Sequence, residues 1–242
     1  MSAEGVHLEA ELATDLALAL DLADHADGLT SAAFRRGDLV VETKPDLTPV
    51  TEADRGTEEA LRRLLAAQRP DDAVVGEEQG ETGRGRRRWI IDPIDGTKNF
   101  VRGMPVWATL IALEIDGDVA VGVASAPALG RRWWAARGLG AFAGDCGVAL
   151  HEGELARPAH RGLRIRVSKV AELADAQLSS GGTDGWGAHG GPGRLLGLAE
   201  RCRRHRGFGD FWSHVLVAEG SVDVAAEPEV SVWDVAAVQV IV

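Results

Sequence analysis

The chain has 242 residues, of which 45% are hydrophobic and 26% charged, and its formal net charge is -11. This is the composition of a globular protein with room for one large domain or two small ones, and its negative charge argues against nucleic acid as a main partner, because a phosphate backbone needs a positive surface. No run reaches the roughly eighteen apolar residues of a membrane span, and the acidic start "MSAEGVHLEAELATDL" lacks the basic and apolar regions of a signal peptide, so the expected location is the cytoplasm.

Residues 7–34 predict a helix, because Leu8, Leu12, Leu16, Leu20 and Ala23 recur three or four apart with acids between them. Residues 38–43, "DLVVET", predict a short strand. A second helix opens at "TEADRG", with Thr51 as N-cap, Asp54 three residues on and Pro70 closing it. "DAVVGEE" is an apolar run ending in two acids. Residues 106–126 predict a hairpin turning at Asp116-Gly117, followed by a strand in "RRWWAAR". In the second half, strands are expected at 163–167 and 222–226, and helices near 193–206, 212–219 and 232–241. The glycine-rich "SSGGTDGWGAHGGPG" (179–193) reads as a mobile loop. The basic runs "RGRRRW" and "RCRRHR" read as solvated faces. Cys146 and Cys202 have no metal or redox spacing and read as ordinary thiols.

The chemistry concentrates where apolar runs end in acids: Glu77 and Glu78 after "AVVG", and Asp92 and Asp95 after "WII". Ligand sites gather at strand ends, where side chains from several strands converge. Carboxylates that converge repel one another, and ionised together they need cations. Hard oxygen donors without nearby His or Cys point to magnesium or manganese rather than zinc. Pro93 stiffens the link between Asp92 and Asp95 and aims both carboxylates and the Ile94 carbonyl at one point. A helix starting near Asp95 would put the Gly96 and Thr97 amides at its positive end, a seat for phosphate. The bland reading of "DPIDG" is a turn with a capping Asp, and Asp54 and Asp234 equally have capping readings. A capping acid can also face a metal.

"VGEE", "DPIDGTKNF" and "VWDVAA" (232–237), in this order and spacing, together with "DLTPVTEAD" (46–54) and "RRWWAARGLGAF", resemble the inositol monophosphatase family of magnesium-dependent phosphatases. The resemblance implies an α+β fold, a layered αβαβα sandwich. It also implies an N-terminal lobe (1–150) carrying the first motifs and a C-terminal lobe (151–242) supplying Asp234. By the family pattern, Glu77, Asp92 and the Ile94 carbonyl hold one magnesium, and Asp92, Asp95 and Asp234 a second. Glu77 helps with a weaker third, giving two to three ions per site. Gly96 and Thr97 bind phosphate, Lys44 stands near it, Thr97 and Asp54 handle the attacking water, and Glu78 stands behind the ligands. A homodimer is implied by the family alone.

The run of sequence is most similar to bacterial histidinol-phosphatases, which implies histidinol phosphate as the small phosphorylated substrate. Asp210 and Glu227 are the acids expected to meet its ammonium group; for Asp210 a helix cap is the alternative. An inositol 1-phosphate or broader sugar phosphatase is the alternative activity, and an inactive metal-binding scaffold the alternative class. The family usually continues past "WDVAAVQVIV", so the C-terminal elements are expected to be truncated.

Overall fold

The computed structural model describes residues 3–36, 41–43, 49–146, 161–183 and 185–242. Its spine is an eight-stranded sheet in the order β10-β9-β8-β7-β6-β5-β3-β4. These strands are β3 (Ala73–Gly76), β4 (Gly80–Thr82), β5 (Arg87–Asp95), β6 (Ala108–Ile115), β7 (Asp118–Ala126), β8 (Arg131–Ala136), β9 (Gly140–Asp145) and β10 (Gly162–Ile165). All neighbours run antiparallel except β3 and β5, which are parallel. A separate ribbon pairs β1 (Val41–Thr43) with β2 (Pro49–Thr51).

Side-chain alternation along the strands decides what covers each face. Trp89, Ile91, Ile111, Leu113, Val121, Val123 and Trp134 point one way and are buried under α1 (Ala3–Arg36) and α2 (Glu52–Gln68). Ile90, Leu110, Ala112, Ala124, Trp133 and Ala135 point the other way, onto α5 (Asp210–Ala218) and α6 (Val232–Ile241). The chain passes Gly122 of β7 so closely to α6 that a Cβ there would sit 2.3 Å from the Ala237 carbonyl oxygen. Only glycine lets this helix lie down on the sheet. Beyond α5 stands a three-stranded sheet of β12 (Arg204–Gly207), β11 (Gln177–Ser180) and β13 (Val224–Ala226), with β11 central and both pairings parallel. Helices, sheet, helices and sheet are thus stacked in the layers of an α+β sandwich.

Several expectations need correction. The helix expected over 193–206 is α4 (Gly193–Arg201), and it stops because Cys202 is extended; Arg204–Gly207 is a strand, and the arginines of "RCRRHR" are exposed, as expected. In the glycine-rich stretch, Ser179 and Ser180 are buried in β11 and Trp186–His189 is a 3-10 turn. In "RGRRRW", Arg84 and Arg86 are exposed as expected, whereas Arg87 pairs with Asp15 and Asp72, and Arg88 with Glu114. Gly162–Ile165, expected in the second lobe, is the edge strand of the large sheet. Of the strand expected at 38–43, residues 38–40 lie outside the described residues.

Candidate metal centre

The parallel pairing of β3 and β5 brings the carboxyl ends of two strands to one edge. Gly76 is the register partner of Ile91, and the Glu77 amide donates to the Ile91 carbonyl at 3.2 Å. The next residues outward are Glu77 and Asp92. β5 does not end there. Asp92 pairs with Leu110 and Asp95 with Ala108, so three steps on β5 oppose two on β6, a bulge. The link expected as a turn after the strand is therefore a bulge within it. It is fixed from two sides: the Ile94 amide donates to Asp92 Oδ1 at 2.9 Å, and the Thr109 hydroxyl donates to the Pro93 carbonyl at 2.8 Å. Sequence reading missed Thr109, since a hydroxyl inside an apolar strand carries no signal of its partner.

Asp234 arrives from α6. It closes a capping box with Ser231, whose amide donates to Asp234 Oδ2 at 2.6 Å. The same acid that caps α6 also faces Asp92 and Asp95. Asp92, Asp95 and Asp234 bring carboxylate oxygens within 4.8 Å of one another. Burial pushes Asp92 well above the ordinary carboxylate range, and the charges of Glu77, Asp95 and Asp234 push it further. Asp95 is raised in the same way, first by burial and then by Asp210, while the Phe211 amide, donating at 2.7 Å, pulls it back. Carboxylates forced together like this cannot all ionise alone; a divalent cation among them restores the charged state. Their donor set is all hard oxygen, which fits magnesium.

Gly96 has φ 84° and precedes the short helix α3 (Thr97–Val101). A Cβ there would meet the Val106 carbonyl at 3.0 Å, so glycine is required by both conformation and space. The helix begins at Thr97 rather than at Asp95, which leaves the first amides of α3 without helical acceptors. The Thr97 hydroxyl donates to the Ile94 carbonyl at 2.9 Å and has Asp54 Oδ1 at 3.4 Å. Asp54 is fully buried, and its other oxygen accepts from the Thr51 amide at 2.8 Å in the capping box of α2. Burial raises its pKa against the pull of Thr51. Lys44 lies outside the described residues.

On the far side stand Asp210 and Glu227. Asp210 is the first residue of α5 rather than its cap, which is Gly209, and it has the left-handed φ 49° uncommon for a non-glycine. Its Oδ2 accepts from Asn99 Nδ2 at 3.0 Å, a contact from within the "GTKNF" motif that sequence reading did not assign. Burial raises its pKa, while Lys98 and Asn99 lower it. Glu227 follows β13. Burial, then the charge of Asp210, pushes it up to about 7 against a hydrogen bond from the Gly181 amide. Its Oε1 is buried without a partner.

The family described as inositol monophosphatase matches residues 11–242. A histidinol-phosphatase of Mycobacterium tuberculosis is 56% identical over 229 residues, covering 94% of this chain and 84% of its own. A histidinol-phosphatase of Streptomyces coelicolor is 51% identical, over 94% and 83%. An inositol-1-monophosphatase of Mycobacterium leprae is 35% identical over 198 residues, covering 78% and 63%. Among solved structures, the extragenic suppressor protein suhB of Bartonella henselae superposes with a TM-score of 0.80 at 28% identity, over 95% of this chain and 84% of its own. An IMPase of Thermotoga maritima gives 0.77 at 31%, over 94% and 82%.

Proposed function

The chain belongs to the inositol monophosphatase family, and from that premise we propose that it hydrolyses histidinol phosphate to histidinol and inorganic phosphate, in histidine biosynthesis. As a family member it is a metal-dependent phosphoric monoester hydrolase. The observation that carries the substrate reading is that two relatives, 56% and 51% identical over the segments that align with 94% of this chain, are both histidinol-phosphatases. The inositol-1-monophosphatase relative stands well below them at 35%.

Asp92, Asp95, Asp234 and Glu77, with the Ile94 carbonyl, are the groups we assign to magnesium, two or three ions in all. Bound there, magnesium would neutralise the phosphate dianion and make water a better nucleophile. The chain's own residues do the rest. The amides of Gly96 and Thr97 face the phosphate. The Thr97 hydroxyl orients the attacking water, and its proton ends on Asp54, to which Thr97 passes its own as it accepts the water's. No cysteine or serine nucleophile is needed, so hydrolysis is direct. Glu227 and Asp210 face the leaving alcohol. The buried, unpartnered Oε1 of Glu227 supports a cation at that end, because an ammonium there would restore the carboxylate that burial disfavours. We read the lobes as one built on each sheet, the location as cytoplasmic and the assembly as a homodimer. Among the described residues no helix is long and apolar enough to cross a membrane.

The test is a steady-state comparison of histidinol phosphate with inositol 1-phosphate, with magnesium and with EDTA. The expected result is a kcat/KM at least tenfold higher for histidinol phosphate, about 1.4 kcal/mol, and no turnover in EDTA. Equal kcat/KM for the two esters would overturn the substrate assignment.

A further inference from the structure

One helix face carries three charged side chains in a row. Asp54, Glu58 and Arg62 stand at i, i+4 and i+8 on α2 and so line one stripe of it. Asp54 meets Thr97. Glu58 is fully buried, although it contributes nothing to the acid cluster itself. Its Oε2 accepts from the Glu78 amide at 2.7 Å, and its Oε1 accepts from the Gln79 amide at 3.0 Å. Arg62 Nε donates to Oε1 at 2.8 Å, and the rest of that guanidinium reaches Thr82 Oγ1 at 2.9 Å and the Gly80 carbonyl.

Both oxygens of a buried acid are therefore spent on the two amides directly after Glu77. The residue directly before Glu77 is pressed by the same group: a Cβ on Gly76 would lie 2.2 Å from Glu58 Oε1. The Glu77 amide is tied to Ile91 on the other side. The chain around Glu77 is thus held on both flanks while its side chain stays directed at Asp92. A carboxylate is an expensive way to fix a turn, since burying it is tolerable only with Arg62 and two amides as partners. A turn with no task would need no such device.

We propose that Glu58, with Arg62, is a positioning residue that sets Glu77 for metal binding and couples the Glu77 turn to Asp54 through one face of α2. This rests on the metal reading given above. Groups that orient metal ligands from behind typically change affinity about tenfold to a hundredfold when removed.

The test uses manganese(II) alone, titrated into the substrate-free protein and read by the electron paramagnetic resonance of the free ion. Glu58→Gln keeps the shape but cannot accept from both amides and Arg62. Gly76→Ala attacks the same joint from the strand, where the backbone asks for nothing special. Each is expected to raise the manganese Kd about tenfold, and activity lost at limiting metal should return at saturating metal. Amide hydrogen exchange at Glu78 and Gln79 should quicken in the metal-free folded protein. An unchanged Kd, with or without a lower Tm, overturns the proposal and leaves Glu58 a structural ion pair. If Glu58→Gln does not fold, Gly76→Ala and Arg62→Gln decide by the same Kd criterion. A wild-type chain that takes up no manganese overturns the metal reading first and this proposal with it. Uptake by wild type with equal affinity in the variants overturns the proposal alone.

Discussion

The large sheet carries a buried charge centre on each side, and the two are built oppositely. Under α1, Arg132 is 1% exposed and lies 2.7 Å from Asp27 and 2.8 Å from Asp24, with Ser125 bridging Arg132 Nε and Asp27 Oδ2. Burial raises the Asp27 pKa there too, but Arg132 supplies an opposite charge inside the protein and pulls it back. At the strand ends, Asp92 and Asp95 are surrounded by further acids, and both pKa values are driven up. The first centre holds its own cation, Arg132, between its acids. One left with a surplus of a single sign marks a place where something from solution supplies the balance.

The contrast can be broken most sharply at Arg132. Arg132→Met leaves Asp27 buried without its counter-charge and should cost about 3–5 kcal/mol of stability. Urea unfolding should show this equally with and without magnesium. A loss below 1 kcal/mol would mean that the pair is not the fold's charge centre.

Asp92→Asn is the mirror experiment. It should lower turnover at least about a hundredfold, yet the metal-free variant should be no less stable than wild type, because it loses a repulsive charge. Activity within tenfold of wild type at saturating magnesium would remove Asp92 from the metal assignment.

A smaller effect would separate the acids assigned to metal from those assigned to substrate. Glu227→Gln should reduce kcat/KM for histidinol phosphate about thirtyfold relative to an uncharged phosphate ester, roughly 2 kcal/mol. Metal affinity should not move. Equal losses on both esters would remove the cation from the leaving-group end.

The smallest effect is a pH dependence. Glu227 in the folded chain is held at about 7, above the roughly 4.3 of a free carboxyl. Between those values the folded state binds the proton and the unfolded state does not, so stability falls as pH rises through that window and levels off above it. Because Glu227 is only half-buried, the expected loss is about 1 kcal/mol. In Glu227→Gln, the metal-free Tm should exceed that of wild type by more at pH 7.5 than at pH 5. A constant difference would show that Glu227 is not raised.

What could be read from sequence was local. "DPIDG", the Thr51–Asp54 capping box and the Asp116-Gly117 hairpin each lie within a few residues, and the structure has all three. The failures share a cause in distance. β11 has no apolar alternation because its buried serines are satisfied from elsewhere, Ser179 by Ser213 at 2.7 Å. Arg204–Gly207 looked like the end of a helix because its strand character comes from pairing with β11. Asp27 gave no sign of Arg132, 105 residues away (132 - 27). Glu58 and Arg62 carried a local i,i+4 signal, which any solvent-exposed pair would also give, and nothing local tied them to Glu77.

The placement of Asp234 sets an order of events. It follows Asp95 by 139 residues (234 - 95) and reaches the other acids only when α6 lies against Gly122. At about 5–20 residues per second, a ribosome would take roughly seven to thirty seconds between them. During that interval the first sheet can form while its acid edge is open. Asp234 therefore joins Asp92 and Asp95 only after α6 has docked. The acid cluster is thus closed by the docking of a helix and not by the sheet that carries most of it.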